Sequence, residues 1–362
     1  HPRGLSMGPV HILSSLLAFA GVVPTQAPTA ESATTSAQTG TETSPAARGR
    51  GSMPLSAMSQ VISRALTGLD PDTLEKLETM SSEEIDALLK RQASGEALTA
   101  DEQKLAEGAT MALRRDFEGK LKFHAGTVEL PGIATLDLPD GLHYLGPEDS
   151  TKVFQQLWGN APRDGLIGML VRKDMSLVNA AQGWAIIISH EARGHVDDSD
   201  ADSLDPDALL SGLQRAARRA MKAAEQVGQS GMELVGWQSP PLYEPQTRTL
   251  RWAEEVISGR DGKTLLNDRM FVLVRGGALV FEAVAPIDVS DTVTQTMTGL
   301  RGRVQIAEGM RYDDFDPDQD PAARMDLAGV VLGKSRKHGG GPPWGLAVIA
   351  GHSAIAIGAA IE

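Results

Sequence analysis

The sequence predicts an α+β fold: a mainly antiparallel sheet with packed helices, preceded by a disordered tether and a helical segment. Short apolar runs rich in β-branched residues dominate the chain from residue 119 onward, whereas helical periodicity dominates the segment before it. Turn signals such as Pro131-Gly132 and Gly276-Gly277 separate neighbouring runs, and they favour hairpins over parallel crossovers. We find no internal sequence repeat at a fixed period.

The composition excludes several classes of protein. The chain of 362 residues has no cysteine, which excludes disulfide scaffolds, iron–sulfur clusters and thiol nucleophiles. Its 34 basic and 47 acidic side chains give a net charge of −13, which argues against a nucleic-acid binder because such a protein needs a basic surface. We therefore expect no nucleic-acid partner and no cofactor.

The N-terminal end has the pattern of an export signal. Residues 12–23 are a short apolar stretch followed by small residues, so residues 1–27 are predicted to be a signal peptide. A buried helix is the alternative interpretation. Residues 28–52 contain almost no large apolar side chains and cannot bury enough surface to offset their ordering entropy, so a disordered linker is predicted there.

Residues 53–118 are predicted to be a helical segment. Helix starts are predicted at Asp70-Pro71, at Ser81 and at Thr99, where a capping side chain precedes acidic residues. Apolar residues recur at helical spacing between charged ones, namely Leu74, Leu77, Ile85, Leu88 and Leu89.

Residues 119–332 are predicted to form the α+β domain. Its predicted strands, in chain order, are GTVEL, IATLDL, GLIGMLV, GWAIIIS, MELVGW, TLRWAEEV, MFVLVR and ALVFEAVA. Helices are predicted from Pro147 to Trp158, after the cap residue Asp205, and from about Val289 to Leu300.

The helix after Asp205 is strongly amphipathic. Its apolar stripe is Leu209, Leu210, Leu213, Ala217, Ala220, Met221 and Ala224. Its opposite face carries Arg215, Arg218, Arg219 and Lys222. This charged face is predicted to be a solvated surface.

Residues 333–362 are predicted to be a basic linker and a candidate C-terminal membrane segment. Residues 344–361 are apolar and just long enough to cross a bilayer. The basic residues Lys334, Arg336 and Lys337 before it favour the cytoplasmic side for that flank, whereas a cleaved signal peptide places it outside. A buried or interfacial helix is the alternative.

Several stretches of the domain resemble a known family. They include the WGN element at residues 158–160, the GW-x-x-PP-x-Y element at residues 236–243 and the RY-x-DFDP element at residues 311–317. Together, in this order, they resemble a bacterial family of predicted membrane-anchored proteins of unknown function, over about residues 119–332. The resemblance implies a signal peptide and a C-terminal membrane segment, and it implies no activity.

Two apparent nucleotide or metal motifs fail on context or spacing. Residues 328–335 match a phosphate-binding loop, but only 27 residues follow, too few for a nucleotide fold. His190 and His195 are five residues apart, which does not place two zinc ligands on one helix face. We therefore predict no nucleotide and no metal site.

The acidic runs also fall short of a calcium loop. The run at residues 197–205 lacks the glycine and the bidentate Glu that such a loop requires, and the run at residues 314–320 fails in the same way. Asp205 already serves as a helix cap, so a solvated loop at the start of a helix is the preferred interpretation, and loose calcium binding is the alternative.

The candidate binding residues are mainly aromatic. Core packing and a shared ligand groove are both open for them. The groove candidates are Trp158, Asn160, Trp184, Trp237, Tyr243 and Trp252. No catalytic residue is predicted, because no motif identifies one.

Two functions follow as expectations. The first is a non-enzymatic binding or scaffold module of the cell envelope, membrane-anchored with its main domain outside the cytoplasm, whose partners are the membrane and an unknown envelope protein or ligand. The second is an envelope hydrolase whose carboxylate and histidine site forms only in the fold. A cleft with His190 or His195 beside two carboxylates would favour the second.

Overall fold

The computed structural model describes most of the chain between residues 70 and 333. The described residues are 70–158, 160, 162–177, 183–226, 230–259 and 261–333. The predicted signal peptide, the predicted linker and the candidate C-terminal membrane segment lie outside them. Within the described residues, no helix has both the length and the apolar character needed to span a membrane.

The chain divides into two compact units, residues 1–117 and residues 118–362. The described part of the first unit consists of helices, the last of which ends just inside the second unit. These helices are α1 (Pro71–Thr79), α2 (Ser82–Ala93) and α3 (Ala100–Gly119).

Side-chain caps start all three helices, as the sequence predicts. The Asp70 carboxylate accepts a hydrogen bond of 3.1 Å from a backbone N–H in the first turn of α1. At α2, the Glu84 N–H donates to Ser81 Oγ and the Ser81 N–H donates to the Glu84 carboxylate, at 3.2 and 2.7 Å. Thr99 and Glu102 form the same reciprocal pair before α3. These bonds satisfy backbone donors that a helix start leaves without partners.

The helical unit has a small apolar core of its own. The predicted stripe residue Leu74 packs against this core while half-buried. The core consists of Leu77, Ile85, Leu88, Leu89, Ala106, Ala109 and Ala112.

The second unit is built on an eight-stranded antiparallel sheet in the order β1-β4-β5-β6-β11-β10-β9-β8. Smaller sheets pair β12, β3 and β2, and β13 with β7. The strands are β1 (Phe123–His124), β2 (Thr127–Leu130), β3 (Ala134–Asp137), β4 (Leu142–Leu145), β5 (Leu166–Arg172), β6 (Ala185–Glu191), β7 (His195–Asp197), β8 (Met232–Glu244), β9 (Thr249–Ser258), β10 (Thr264–Val274), β11 (Gly277–Pro286), β12 (Val304–Ile306) and β13 (Ala322–Asp326).

The helices of this unit are α4 (Pro147–Lys152), α5 (Pro206–Gln226), α6 (Ser290–Arg301) and α7 (Leu327–Leu332). Helix α4 continues as a π-helical turn at Val153–Leu157, so the single helix predicted from Pro147 to Trp158 contains two helix types. The α+β class with a mainly antiparallel sheet and packed helices is confirmed.

Each face of the large sheet packs against its own helices. On one face, which we call the α6 face, Met270 and Phe281 pack with Met297 of α6 and with the β12-β3-β2 sheet. On the other, the α5 face, Phe271 and Val280 pack with residues of α5 and α7. Since side chains alternate along a strand, the central strands are buried on both sides.

The hairpin predicted at Gly276-Gly277 joins β10 to β11 and is confirmed. Gly277 has a φ of 155°, and a Cβ at this position would lie 1.9 Å from the Glu191 carbonyl oxygen. Only glycine therefore allows β11 to begin so close to the end of β6.

Strand β8 differs from the prediction. The predicted strand MELVGW ends at Trp237, but β8 continues through Pro240-Pro241 to Glu244. The strand lies at the sheet edge, and its register with β9 shifts at three places along its length. An edge position and bulges are the sites in a sheet where residues without an N–H group are tolerated.

Candidate functional site

Polar side chains cross the centre of the α5 face, where the strands are otherwise apolar. Glu282 pairs with Arg269 on β10 and with Ile187 on β6, so all three side chains point to one face. Val280, two residues before Glu282, identifies that face as the α5 face. The set, which we call the polar belt, consists of Arg163, Ser189, Glu191, Glu254, Asn267, Arg269 and Glu282.

A buried carboxylate with two arginine partners forms the centre of the polar belt. The Glu282 side chain is 1% exposed and accepts hydrogen bonds from Arg163 Nη1 at 2.7 Å and from Arg269 Nε at 3.1 Å. Arg163 Nη2 also donates to Ser189 Oγ at 3.2 Å. Charges withdrawn from water cost free energy unless such partners compensate them, so this arrangement constrains the loop that carries Arg163.

A second buried carboxylate of the belt is held by neutral donors. Glu254 is 2% exposed and accepts from Trp252 Nε1 at 3.1 Å and from Asn267 Nδ2 at 2.9 Å. The Trp252 ring, 1% exposed, also stacks on Phe271 with ring centroids 5.2 Å apart. Trp252 is therefore part of the core, and its indole N–H is already used.

Several buried polar atoms near the belt have no hydrogen-bond partner among the described residues. They are Asn267 Oδ1, Arg269 Nη2 and Glu191 Oε2 in the belt itself. On the loop that leads to Arg163, both amide atoms of Asn160 and the Trp158 indole N–H share this condition. Buried polar groups nearly always have a protein or water partner, so each of these atoms is a candidate contact for a polar molecule.

The Glu191 carboxyl of the belt has a raised pKa. Burial raises its pKa from 4.5 to about 7, because little water remains to solvate the charged form. The charges of Arg193 and Arg163 lower the pKa and that of Glu282 raises it, and burial outweighs them together. The Arg193 Nε lies 3.9 Å from Glu191 Oε2, which is too far for a hydrogen bond. A carboxyl with this pKa can exchange a proton near neutral pH.

A different polar cluster forms around Asp198, just after β7. The Asp198 carboxylate accepts from Tyr243 Oη at 2.7 Å, Tyr312 Oη at 3.1 Å and Arg248 Nη1 at 2.7 Å. Burial alone would raise its pKa, but these hydrogen bonds and the Arg248 charge lower it overall. The cluster therefore joins the segments that carry Tyr243 and Tyr312 to the loop after β7.

Arg248 adopts a strained backbone to reach this cluster. It has a φ of 51° and is the only non-glycine residue with a positive φ in the described part of the chain. Its guanidinium lies over the Tyr312 ring, 4.6 Å from the centroid, and its second nitrogen bonds Asp313 at 2.8 Å. Such a conformation costs about 1–2 kcal/mol in an L-residue, and these contacts offset it.

His195 is packed between aromatic rings and does not pair with a carboxylate. Its ring centroid lies 4.1 Å from that of Tyr312 and 3.9 Å from that of Phe315. Its Nδ1 is 3.3 Å from the Arg275 carbonyl oxygen. Burial lowers its pKa, and no carboxylate in the described residues forms a hydrogen bond or ion pair with it.

His190 is also separated from the belt. Side-chain alternation along β6 places it on the α6 face, opposite Ser189 and Glu191. Its Nε2 is buried without a partner among the described residues, and burial lowers its pKa. His195 is within electrostatic range of Asp197 and Asp198, but neither candidate histidine forms a hydrogen bond or ion pair with a carboxylate of the described residues.

The acidic run at residues 197–205 caps helices. Asp200 accepts from the backbone N–H groups of Leu327 and Ala328 at 3.0 and 2.9 Å, at the start of α7. Asp205 accepts from two N–H groups in the first turn of α5. The described residues contain no group of three or more side chains arranged to hold a metal ion.

The sequence comparison gives a family for the chain. Residues 122–351, well over half of the 362 residues, match the family model described as "Protein of unknown function (DUF2167)". The chain belongs to this family. No curated protein matches it.

The solved structures to which the chain is similar have low sequence identity and low TM-scores. The cyanobacterial PsbP protein of Synechocystis sp. PCC 6803 has 13% identity and a TM-score of 0.29, covering 52% of this chain and 92% of its own. The Ran-binding protein Mog1p of Saccharomyces cerevisiae has 13% identity and a TM-score of 0.28, covering 52% and 96%. TM-scores this low carry no conclusion about function.

The predicted groove residues of the DUF2167 chain do not share one groove. Trp184 packs in the core of the α6 face, whereas Trp252 packs in the core of the α5 face. Trp237 and Tyr243 lie half-buried against the α5-face core, and Trp237 Nε1 donates to the Pro206 carbonyl at 3.0 Å.

Trp158 and Asn160 lie apart from these aromatics in sequence, at the end of the π-helical turn. Both side chains are 6% exposed, and both retain polar atoms without partners. Their contact with a ligand stays a prediction, as it does for Trp237 and Tyr243.

The sequence interpretation missed the polar belt. Two features of the sequence indicated the belt: Glu282 interrupts the apolar run ALVFEAVA, and Arg269 directly precedes MFVLV. A charged residue inside a strand that is buried on both faces must point into the interior. The partner Arg163 lies in a loop and carried no comparable signal.

Proposed function

We propose that this DUF2167 protein is a membrane-anchored protein of the bacterial envelope whose α+β domain is a non-enzymatic binding module. The predicted signal peptide and C-terminal membrane segment support the location. The polar belt supports the binding role.

One observation carries the binding role: buried donors and acceptors of the belt, and of Asn160 three residues before Arg163, have no partner among the described residues. Arg269 Nη2 is a donor, Asn267 Oδ1 is an acceptor, and the Asn160 amide offers both. Each such group costs about 1–3 kcal/mol when it stays unsatisfied. A small polar ligand that both donates and accepts hydrogen bonds would recover this free energy.

The aromatic and charged surroundings fit binding better than catalysis. Ser189 is 1% exposed and its Oγ already receives a hydrogen bond from Arg163, so it is not presented to a substrate. His195 lies between two rings and His190 lies on the opposite face. A nucleophile activated by a base requires these groups within hydrogen-bond reach of one another.

An envelope hydrolase is the second candidate, and Glu191 favours it. A carboxyl with a pKa of about 7 suits a general acid or base at neutral pH. Glu282, the nearest second carboxylate of the belt, is already paired with two arginines. Hydrolysis of ester, amide and glycoside probes by the parent, with loss in Glu191→Gln, would replace the binding proposal.

Cell fractionation tests the location. We expect the intact chain in the envelope fraction after an alkaline wash, because an anchored protein resists this treatment. Recovery of the intact chain in the soluble cytoplasm would reject the envelope proposal.

Thermal melts test the binding site. We expect one class in a panel of sugars, amino acids and small amides to raise the melting temperature of the full chain by several degrees at saturating concentration. Asn160→Ala should lose this rise, and the exposed control Gln238→Ala should keep it. A rise that survives in Asn160→Ala would place the ligand elsewhere.

A further inference from the structure

Helix α5 carries a basic face without ion-pair partners. Its cations are Arg215, Arg218, Arg219 and Lys222, which we call the basic stripe. All four are exposed, and none forms an ion pair or side-chain hydrogen bond with another described residue. Their spacing of three, four and seven residues places them within an arc of about 100° and along roughly 10 Å of the helix.

The stripe places four exposed cations on one helix face of an acidic molecule. The chain has a net charge of −13; some exposed cations elsewhere are paired, as Lys76 is with Asp101, whereas others, such as Lys122 and Lys173, have no ion pair among the described residues but do not share one helix face. On α5 itself, acidic residues occur only at the ends, at Asp207 and Glu225. A cationic surface left unpaired in an acidic protein is complementary to a negative partner from outside.

The apolar side of α5 is already occupied. Leu209, Leu213 and Ala217 are buried against the sheet in the α5-face core. The helix therefore cannot insert an apolar face into a bilayer, as an interfacial helix does, and only its charged side is free. A partner must be bound through charge.

The chain leaves the described domain beside this helix. Helix α7 packs on α5, and Leu332 lies so close to Gly212 that a Cβ there would be 2.8 Å from its side chain. The described chain ends at Gly333, next in sequence to Lys334, Arg336 and Lys337 and then to the candidate membrane segment at residues 344–361. The described chain thus ends on the helix that packs against the helix of the stripe.

We propose that the basic stripe of α5 docks the domain on an anionic phospholipid surface. The inference rests on the proposed membrane anchoring, and it adds which face of the domain meets the headgroups. Cations near a charged bilayer each contribute to attraction, and several together give a preference that salt screens.

Competition between two vesicle types tests the stripe. The full chain is mixed with equal amounts of phosphatidylcholine vesicles and of vesicles that also contain phosphatidylglycerol, and the bound ratio is measured after separation. We expect a preference of about tenfold or more for the anionic vesicles at low salt, lost at high salt. The variant with Arg215, Arg218, Arg219 and Lys222 changed to Gln should show a ratio near one.

Two control variants separate position from net charge. Changing Lys76, Lys90, Lys104 and Lys263 to Gln removes the same charge from exposed positions outside α5, and the preference should remain. Changing the three arginines of the stripe to Lys keeps the charge and should also keep the preference. An equal loss in the first control, or a preference unchanged by the stripe variant, would overturn the proposal.

Two further outcomes distinguish the sources of binding. If soluble glycerol phosphate at matched ionic strength abolishes the preference, the stripe recognises a phosphate group and not a surface, and the docking proposal fails. If the chain binds anionic but not neutral vesicles, the proposed membrane anchoring is rejected and the proposed docking through the basic stripe is supported. Equal binding to both vesicle types supports the proposed anchoring and rejects docking through the basic stripe.

Discussion

At the scale of single residues, β10 sends one charged side chain to each face of the sheet. Asp268 is fully buried on the α6 face and accepts from Arg251 Nε and Nη2 at 3.0 and 2.6 Å. Arg269, its neighbour, pairs with Glu282 on the α5 face. Burial raises the pKa of Asp268, and the Arg251 charge opposes the shift. Each face therefore contains a buried charge pair, and removing either partner would destabilise the fold because the other charge would stay buried and unpaired.

Removing the central carboxylate of the belt should destabilise the domain strongly. Glu282→Ala leaves Arg163 and Arg269 without their shared partner, so we expect a loss of about 3–5 kcal/mol in the free energy of unfolding. Urea denaturation followed by tryptophan fluorescence measures it. The exposed Glu233→Ala is the control, with a change within about 0.5 kcal/mol. A loss for Glu282→Ala as small as the control's would contradict this account of the pair.

Glu191 should make stability depend on pH in a defined direction. Its folded pKa of about 7 lies above its ordinary value of 4.5, so between these pH values the folded state binds more protons than the unfolded state. The contribution of Glu191 to stability is therefore full below pH 4.5 and is lost as pH rises through 7.

Glu191→Gln isolates this effect. From pH 5 to pH 8, the free energy of unfolding of the variant should rise by about 1–2 kcal/mol relative to that of the parent. The size is kept modest because the Glu191 side chain is 20% exposed. Unfolding free energies of both proteins at the two pH values give this difference. A difference that does not change with pH, or changes in the opposite direction, would show that the carboxyl titrates normally.

The site was only partly predictable at this scale. The tryptophans were recognisable as core or groove residues, and Trp252 proved to be core because its ring and indole N–H are both used. The belt was not recognised, because its central pair joins Arg163 and Glu282, which lie 119 residues apart in sequence. Sequence patterns describe neighbours along one strand or helix, and no pattern of this kind relates a loop to a distant strand.

At the scale of elements, the short helix α7 depends on a carboxylate from far away in sequence. Its own cap residue Asp326 accepts from the Gly329 N–H at 2.9 Å. Asp200 satisfies two more of the N–H groups that the helix start leaves open. An element of six residues has little stability alone, so these bonds help to hold it against the loop before α5.

Asp200→Ala should therefore loosen α7. We expect a loss of about 2 kcal/mol and faster hydrogen exchange in residues 327–332, because two charge-assisted hydrogen bonds disappear. Asp202→Ala removes the same charge from the same acidic run, where the side chain is exposed, and should leave both quantities unchanged. Equal effects of the two variants would mean that the acidic run acts through charge alone.

The elements that the sequence predicted are those with local signals. Helix starts at Asp70, Ser81 and Thr99 were predictable because a cap bonds to its own first turn. Strands β1, β7 and β12 have two or three residues, too few for an alternating pattern. The path of β8 through Pro240-Pro241 was missed because prolines predict turns unless the strand is known to lie at an edge.

At the scale of the whole molecule, the described residues form two units with separate apolar cores. The core of the helical unit is small, and short domains bury too little surface for high stability. The α+β unit has a covered sheet with a core on each face. Unequal stabilities are the expected consequence.

Calorimetry of the full chain should show two transitions. Leu88→Ala removes a buried side chain from the helical core, so we expect a loss of about 2–5 kcal/mol that shifts or abolishes only the first transition. Leu88→Met, which nearly conserves volume, should cost less than about 1.5 kcal/mol. One transition that shifts as a whole in Leu88→Ala would mean that the two units unfold together.

The two arginine partners of Glu282 lie at very different sequence separations from it. This difference predicts the order in which parts of the sheet fold. Arg269 is 13 residues away within one hairpin, whereas Arg163 is 119 residues away across the β6–β11 pairing. Loop closure makes distant contacts slow to form, so β8 to β11 should assemble first and the Arg163 loop should close over them last. Kinetic measurements should then find that Arg269→Met slows refolding, whereas Arg163→Met chiefly accelerates unfolding. On this pathway the polar belt stays open to solvent until the final step.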